Sequence, residues 1–151
     1  MGDLFNEDFQ DFLKALNQAE VEYLLVGGYA VILHGYSRTT GDMDIWVNRS
    51  QPNYQKLALA FEMFGMPVFD MTEEKFLNPE KAVVFSFGRE PRQIDILTKV
   101  KGLKFNVAIA NARSVDVDGI PFRMLSREDL MFAKRAAGRN RDLDDIENLE
   151  L

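Results

Sequence analysis

The chain reads as an α/β (α+β) domain: a mixed β-sheet with flanking helices and a helical C-terminal end. Three observations predict this. Short apolar runs of strand length are interleaved with stretches of helical spacing. Two pairs of strand-like runs are separated only by turn signals, which adds antiparallel neighbours to the sheet. The last residues carry helix start and stop signals with no strand among them. Interleaved strands and helices with two such pairs give a mixed sheet. At 151 residues the chain suits one domain with a real core and is short for two, so residues 1–151 are expected to form a single unit.

Phe5, Phe9, Phe12, Leu13 and Leu16 recur at helical spacing, predicting an amphipathic helix over about 6–19. "VEYLLVG" reads as a buried strand stopped by glycine, and "YAVILHG" as a compact helix bounded by Gly28 and Gly35. "DMDIWV" is the next strand. In "SQPNYQKLALAFEMFG", Ser50 is the cap, Pro52 lies in the first turn and Gly65 ends the helix. Residues 66–80 predict a loop with one helical turn. "AVVFSFG" and "RQIDILT" are two strands around a turn near Arg89–Pro91, while "LKFNVAIANA" is ambiguous between helix and irregular chain. "RSVDVDGIPFRML" is a hairpin, because Asp118-Gly119 is a favoured two-residue turn. Ser126 with Asp129 opens a helix to about 137, Gly138 ends it, and "RDLDDIENLEL" supplies the last helix, so a helical tail covers about 126–150.

Hydrophobic residues make up 46% of the chain and charged residues 28%, an ordinary globular balance. No apolar run approaches the roughly 20 residues needed to span a bilayer, and the acidic N-terminus lacks the order of a signal peptide. With no cysteine there is neither a disulfide framework nor a thiolate metal site. A cytoplasmic protein without membrane attachment is expected. The net charge of −6 argues against a large duplex-binding surface. It does not exclude a single nucleotide, since a bound cation supplies positive charge locally.

The chemistry concentrates in "VGGYAVILHGYSRTTGDMDIWV", residues 26–47. Side chains alternate along a strand, so Asp42 and Asp44 share a face while Met43 and Ile45 turn to the core. Two adjacent carboxylates repel and raise each other's pKa. A divalent cation removes that conflict, and Mg²⁺ favours one or two carboxylates with phosphate oxygens and water. Asp95 repeats the pattern between Ile94 and Ile96. Were its strand beside the first, three carboxylates would converge, the donor set of a two-metal phosphoryl-transfer site. Gly27 and Gly28 lie where strand hands over to helix, where absent Cβ atoms let backbone N–H groups approach a phosphate. Asp-x-Asp alone is common and Gly-Gly weaker still. The order strand, Gly-Gly, helix, Asp-x-Asp strand and later strand Asp is far more specific.

In that order the residues resemble the nucleotidyltransferase superfamily related to DNA polymerase beta. They are most similar to a small bacterial and archaeal branch that includes abortive-infection toxin nucleotidyltransferases. Gly27, Gly28, Ala30, His34, Gly35, Arg38, Thr40, Asp42 and Asp44 carry the motif, and Lys134, Gly138, Arg139, Arg141, Asp142, Asp145 and Leu149 match the branch's tail. Arg141 stands where a lysine is more usual. The resemblance runs from about residue 20 to 150. It implies transfer of a nucleoside monophosphate from an NTP to an acceptor with release of pyrophosphate, dependent on Mg²⁺ (two ions, with Mn²⁺ as a substitute). It implies that Asp42 and Asp44 hold the metals, that Asp95 completes the second site and helps activate the acceptor, and that Gly27 and Gly28 contact the triphosphate. Arg38, Thr40, Lys134 and Arg141 are the further nucleotide-binding candidates.

Competing roles accompany several of these residues. Arg38 either holds a phosphate or neutralises Asp42 and Asp44. His34 in an apolar helix more often packs or hydrogen-bonds locally, and Trp46, of the same parity as Asp44, more often packs than reaches a base. Lys134, Arg139 and Arg141 reach phosphates only if the last helices fold over the cleft, and otherwise form a solvated helix end. Asp142 and Asp145 are expected to cap or pair within the tail. Phe5, Phe9 and Phe12 form a packing or homodimer face. The alternative function is an inactive nucleotide-binding module or one half of a toxin–antitoxin pair. The acceptor stays open between a tRNA end, a protein hydroxyl and a small molecule.

Overall fold

The computed structural model describes residues 4–36, 38–89 and 92–150. The elements run α1 (Glu7–Gln18), β1 (Tyr23–Val26), α2 (Gly27–Leu33), β2 (Met43–Val47), α3 (Gln51–Phe64), α4 (Glu73–Leu77), β3 (Val84–Phe87), β4 (Ile94–Leu97), α5 (Phe105–Ala110), β5 (Arg113–Val117), β6 (Ile120–Met124), α6 (Arg127–Ala137) and α7 (Asn140–Leu149). The strands form one six-stranded sheet in the order β3-β4-β2-β1-β6-β5. It is mixed, as expected: β2 runs parallel to β4 and β1 parallel to β6, while the remaining neighbours are antiparallel.

Local chemistry sets most boundaries. The Asn6 side chain accepts the Phe9 N–H at 2.8 Å and starts α1. Ser50 caps α3 through the Asn53 N–H at 3.2 Å, and Ser126 caps α6 through the Asp129 N–H at 3.1 Å. Asp118 and Gly119 hold φ of 55° and 80°, the positive values a tight turn between right-twisted strands requires. The ambiguous stretch after Leu103 resolves as the short helix α5, and the single turn expected in 66–80 is α4. The turn near Arg89–Pro91 includes Glu90 and Pro91, which lie outside the described residues.

Alternation divides the sheet into two unlike faces. Tyr23, Leu25, Met43, Ile45, Val47, Ile94 and Ile96 meet α1 and α3 in a dense aromatic core. There Phe12 lies edge-on to Phe61 and Phe64 at ring separations of 5.5 and 5.3 Å. Phe5, Phe9 and Phe12 are all buried in this core, so they pack within the chain, as one of the two expected roles required. On the opposite face Leu24, Val26 and Trp46 pack with residues of α5, α6 and α7, and Val26 brings this layer to the strand position opposite Asp44. Among the described residues, no helix is long and apolar enough to cross a membrane.

Candidate active site

The parallel pairing of β2 and β4 sets Asp44 directly beside Asp95. Antiparallel pairing of β1 with β2 places Val26 opposite Asp44, so the chain enters Gly27 at the same point. Asp42 precedes β2 and its Oδ1 accepts the Gln93 backbone N–H at 3.1 Å, while the Gln93 side chain donates to Asp95 at 3.0 Å. Asp95 and the Asp42–Asp44 pair, far apart in sequence, thus meet at one end of two neighbouring strands.

Electrostatics makes this end unstable as a set of bare anions. Burial, then the adjacent Asp95 charge, hydrogen bonding with Asp95 and the Asp42 charge push the Asp44 carboxyl up to about 7, with Lys134 opposing. Among the described residues, no three His, Cys, Asp or Glu side chains close around a single point as a ready-made cation cage. A pair of carboxylates completed by substrate oxygens and water is nonetheless the set that suits Mg²⁺. The residues present therefore fit such an ion, and the like-charge conflict between Asp44 and Asp95 is what it would relieve.

The glycines have a reason beyond phosphate access. Gly27 has φ +71°, and a Cβ there would fall 2.0 Å from Asp44 Oδ2. At Gly28 it would fall 2.4 Å from Thr40 Oγ1. Neither carboxylate nor hydroxyl could keep its place against a side chain, so the Gly-Gly pair is required by Asp44 and Thr40 themselves.

A cleft of about 990 Å³ opens over these groups, lined among others by Gly27, Gly28, Arg38, Thr40, Asp42, Asp44, Asp95, Lys134, Arg139 and Arg141. Every site residue expected from the sequence therefore borders one cavity. Helices α6 and α7 do fold back over it. Lys134 is buried, its Nζ 3.2 Å from Asp142 and 3.1 Å from Asp145, so it is no solvated helix end. Arg38 neither reaches into the carboxylate trio nor stands free. It donates to both Asp145 oxygens, at 2.7 and 2.6 Å, strapping the segment before β2 to α7. Asp142 accepts the Arg139 backbone N–H at 3.3 Å at the start of α7. Burial opposes its charge, but bonds from Arg139 and Lys134 prevail and hold it below the usual carboxylate range.

Two residues play quieter parts. His34 Nε2 lies 2.8 Å from the Leu125 carbonyl, a local tie between α2 and the chain entering α6. Trp46 is buried edge-on to Phe105 at 5.2 Å and packs beneath the cleft. Sequence reasoning missed Arg92, Lys99 and Lys101, which also line the cavity. The "LTKVK" run following a strand Asp was the available signal, but its meaning depends on which helices face β4.

Comparison with known proteins accords with this geometry. The chain matches the model of the family described as "Nucleotidyl transferase of unknown function (DUF2204)" over residues 5–150. Among solved structures it is similar to the lincosamide antibiotic adenylyltransferase LnuA, solved with lincomycin bound, at 18% identity and TM-score 0.62, over 99% of this chain and 98% of that one. It is similar to ANT(2'')-Ia in complex with adenylyl-2''-tobramycin, at 14% identity and TM-score 0.58, over 93% of this chain and 84% of that one. An antigenic nucleotidyltransferase-like protein from Paracoccidioides brasiliensis matches at 13% identity and TM-score 0.58, over 94% of this chain and 74% of that one. At these identities the likeness is one of fold. No curated protein matches the chain. Taken with the acids, the glycines and the cleft, the match over residues 5–150 makes the chain a nucleotidyltransferase belonging to that family of unknown function.

Proposed function

We propose that the protein transfers a nucleoside monophosphate from an NTP to the hydroxyl of a small molecule, with two Mg²⁺ ions shared among Asp42, Asp44 and Asp95, each ion completed by substrate oxygens and water. The observation that carries the reading is the register of β2 against β4, which sets Asp44 beside Asp95 at the glycines' end of the cleft. Bound there, the metal would neutralise the carboxylates and draw charge from the phosphate oxygens.

The chain's own groups divide the remaining work. Gly27, Gly28 and Thr40 border the proposed place for the triphosphate, and Lys134 and Arg141 line the same cleft. The acceptor oxygen bonds to the α-phosphorus as the bond to the pyrophosphate oxygen breaks. Asp95, nearer the open edge of the sheet than Asp44, stands where the hydroxyl proton leaves. Arg38, engaged by Asp145, is a positioning residue that fixes the segment carrying Thr40 and Asp42. A small acceptor is favoured over a tRNA end or a protein because fold neighbours were solved with lincomycin and with adenylyl-2''-tobramycin.

The test is incubation with each α-labelled NTP, Mg²⁺ and fractionated cell extract. Wild type is expected to label a small-molecule product, and Asp44→Ala to be slower by at least about 10³-fold, the scale of losing metal-assisted charge stabilisation. Equal labelling by both proteins would remove Asp44 from the mechanism.

A further inference from the structure

The structure assigns the acceptor a charge: we infer that it is a small hydroxyl compound bearing an anionic group, phosphate or carboxylate, which Lys99 and Lys101 receive. The inference rests on the nucleotidyl-transfer reading above and adds the class of acceptor. Its first support is the shape of the cleft, which does not stop at the carboxylates. It continues along β4 from Asp95 to Leu97 and past the strand's end to Lys99, Val100 and Lys101, with Val84 of the edge strand β3 beside Leu97. Ala133 and Ala137 of α6 form part of the lining, and their short side chains leave room there. Nothing at the glycine end needs this extension.

The second support is charge. Seven cations line the cleft (Arg38, Arg92, Lys99, Lys101, Lys134, Arg139 and Arg141) against four carboxylates (Asp42, Asp44, Asp95 and Asp142). The whole chain has the opposite balance, with 18 basic and 24 acidic residues, so the cations are concentrated at this cavity. Asp145, behind the lining, pairs with Arg38 and Lys134 and reduces the surplus by one, while two Mg²⁺ ions and a bound NTP add charges that cancel to about zero, so the cations still prevail. Each lining acid is also engaged. Asp142 is buried against Lys134 and Arg139, and the other three belong to the proposed metal. An ammonium-bearing acceptor would find no counter-charge here and would meet repulsion instead.

Lys99 and Lys101 are the cations suited to the acceptor. Both are exposed and, among the described residues, neither has an ion-pair partner. Lys99 lies four residues past Asp95, so its backbone stands at most about 13 Å from that of the acid. Between the two points, Leu97, Val84 and Val100 offer an apolar floor. The acceptor they describe has a hydroxyl at one end, an apolar middle and an anion at the other.

The test uses full-length wild type and a Lys99→Glu/Lys101→Glu double variant. Cell extract freed of protein and RNA is separated by ion exchange into cationic, neutral and anionic small molecules, with the RNA kept as a fourth sample. Each is incubated with α-labelled NTP and Mg²⁺. Label is expected in the anionic fraction, with uptake by the double variant reduced at least about tenfold at limiting acceptor. Label confined to the cationic, neutral or RNA sample overturns the inference, as does equal uptake by the two proteins from the anionic one. Where no sample takes up label, calorimetry decides: the donor site is filled with Mg²⁺ and a non-hydrolysable NTP analogue, and inorganic phosphate is titrated. Saturable phosphate binding, weakened in the double variant, upholds the seat, and its absence overturns it. Failure of the NTP analogue itself to bind would count against the donor reading rather than the acceptor's charge.

Discussion

The two faces of the sheet are held by opposite physics. On one, Phe5, Phe9, Phe12, Phe61 and their neighbours bury apolar surface against Met43, Ile45 and Ile96, and no ionised group is involved. On the other, a smaller apolar cluster around Trp46 gives way to paired charges: Arg38 with Asp145, Lys134 with Asp142 and Asp145, Arg139 with Asp142. Closing the first face buries no charge, whereas the second keeps charges in place beside an open cleft. Apolar packing and paired charge are thus divided between opposite sides of the same sheet, and β2 borders both through alternate residues.

That division can be broken on either side. Phe12→Ala removes a fully buried ring between Phe61 and Phe64 and is expected to cost about 3–5 kcal/mol in urea unfolding. Its folded fraction should still bind Mg²⁺ and NTP. Asp145→Ala leaves Arg38 and Lys134 short of an anion at a site only 1% exposed, with an expected loss of about 3 kcal/mol. Here NTP binding should weaken as well, so a calorimetric titration of the folded protein separates the two faces. Unchanged binding in Asp145→Ala would mean the ion pairs serve folding alone.

A third substitution acts with the opposite sign. Burial and Asp95 push Asp44 up to about 7, so without metal the folded state retains a proton the unfolded chain has released. The associated stability is complete below about pH 4 and is lost as pH rises through about 7. Asp44→Asn carries no such penalty. In a chelator at pH 8 it should melt at least about 2 °C above wild type, and the gap should close by pH 4.

Much of the first face and half of the second was legible in the residues. Helical spacing of Phe5, Phe9 and Phe12 and the alternation of "DMDIWV" needed no partner to be read. The convergence of Asp95 on Asp44 was conditional on strand adjacency, which the β2–β4 pairing supplies. The bond between Arg38 and Asp145 spans 107 residues, and no local pattern encodes which acid a given arginine finds. Gly27 was readable as a backbone requirement, but the atom demanding it, Asp44 Oδ2, belongs to another strand. Lys99 and Lys101 look like ordinary surface lysines until α6 is known to stand opposite them across the cleft.

The most direct measurement of the central claim is titration of Mg²⁺ and a non-hydrolysable NTP analogue into wild type and Asp95→Asn at pH 8. If Asp44 and Asp95 share the metal, wild type binds the analogue far more tightly with Mg²⁺ than without it, and Asp95→Asn loses most of that coupling, at least about tenfold. Identical Mg²⁺ coupling in the two proteins would contradict the account and move the metal away from the β2–β4 pair.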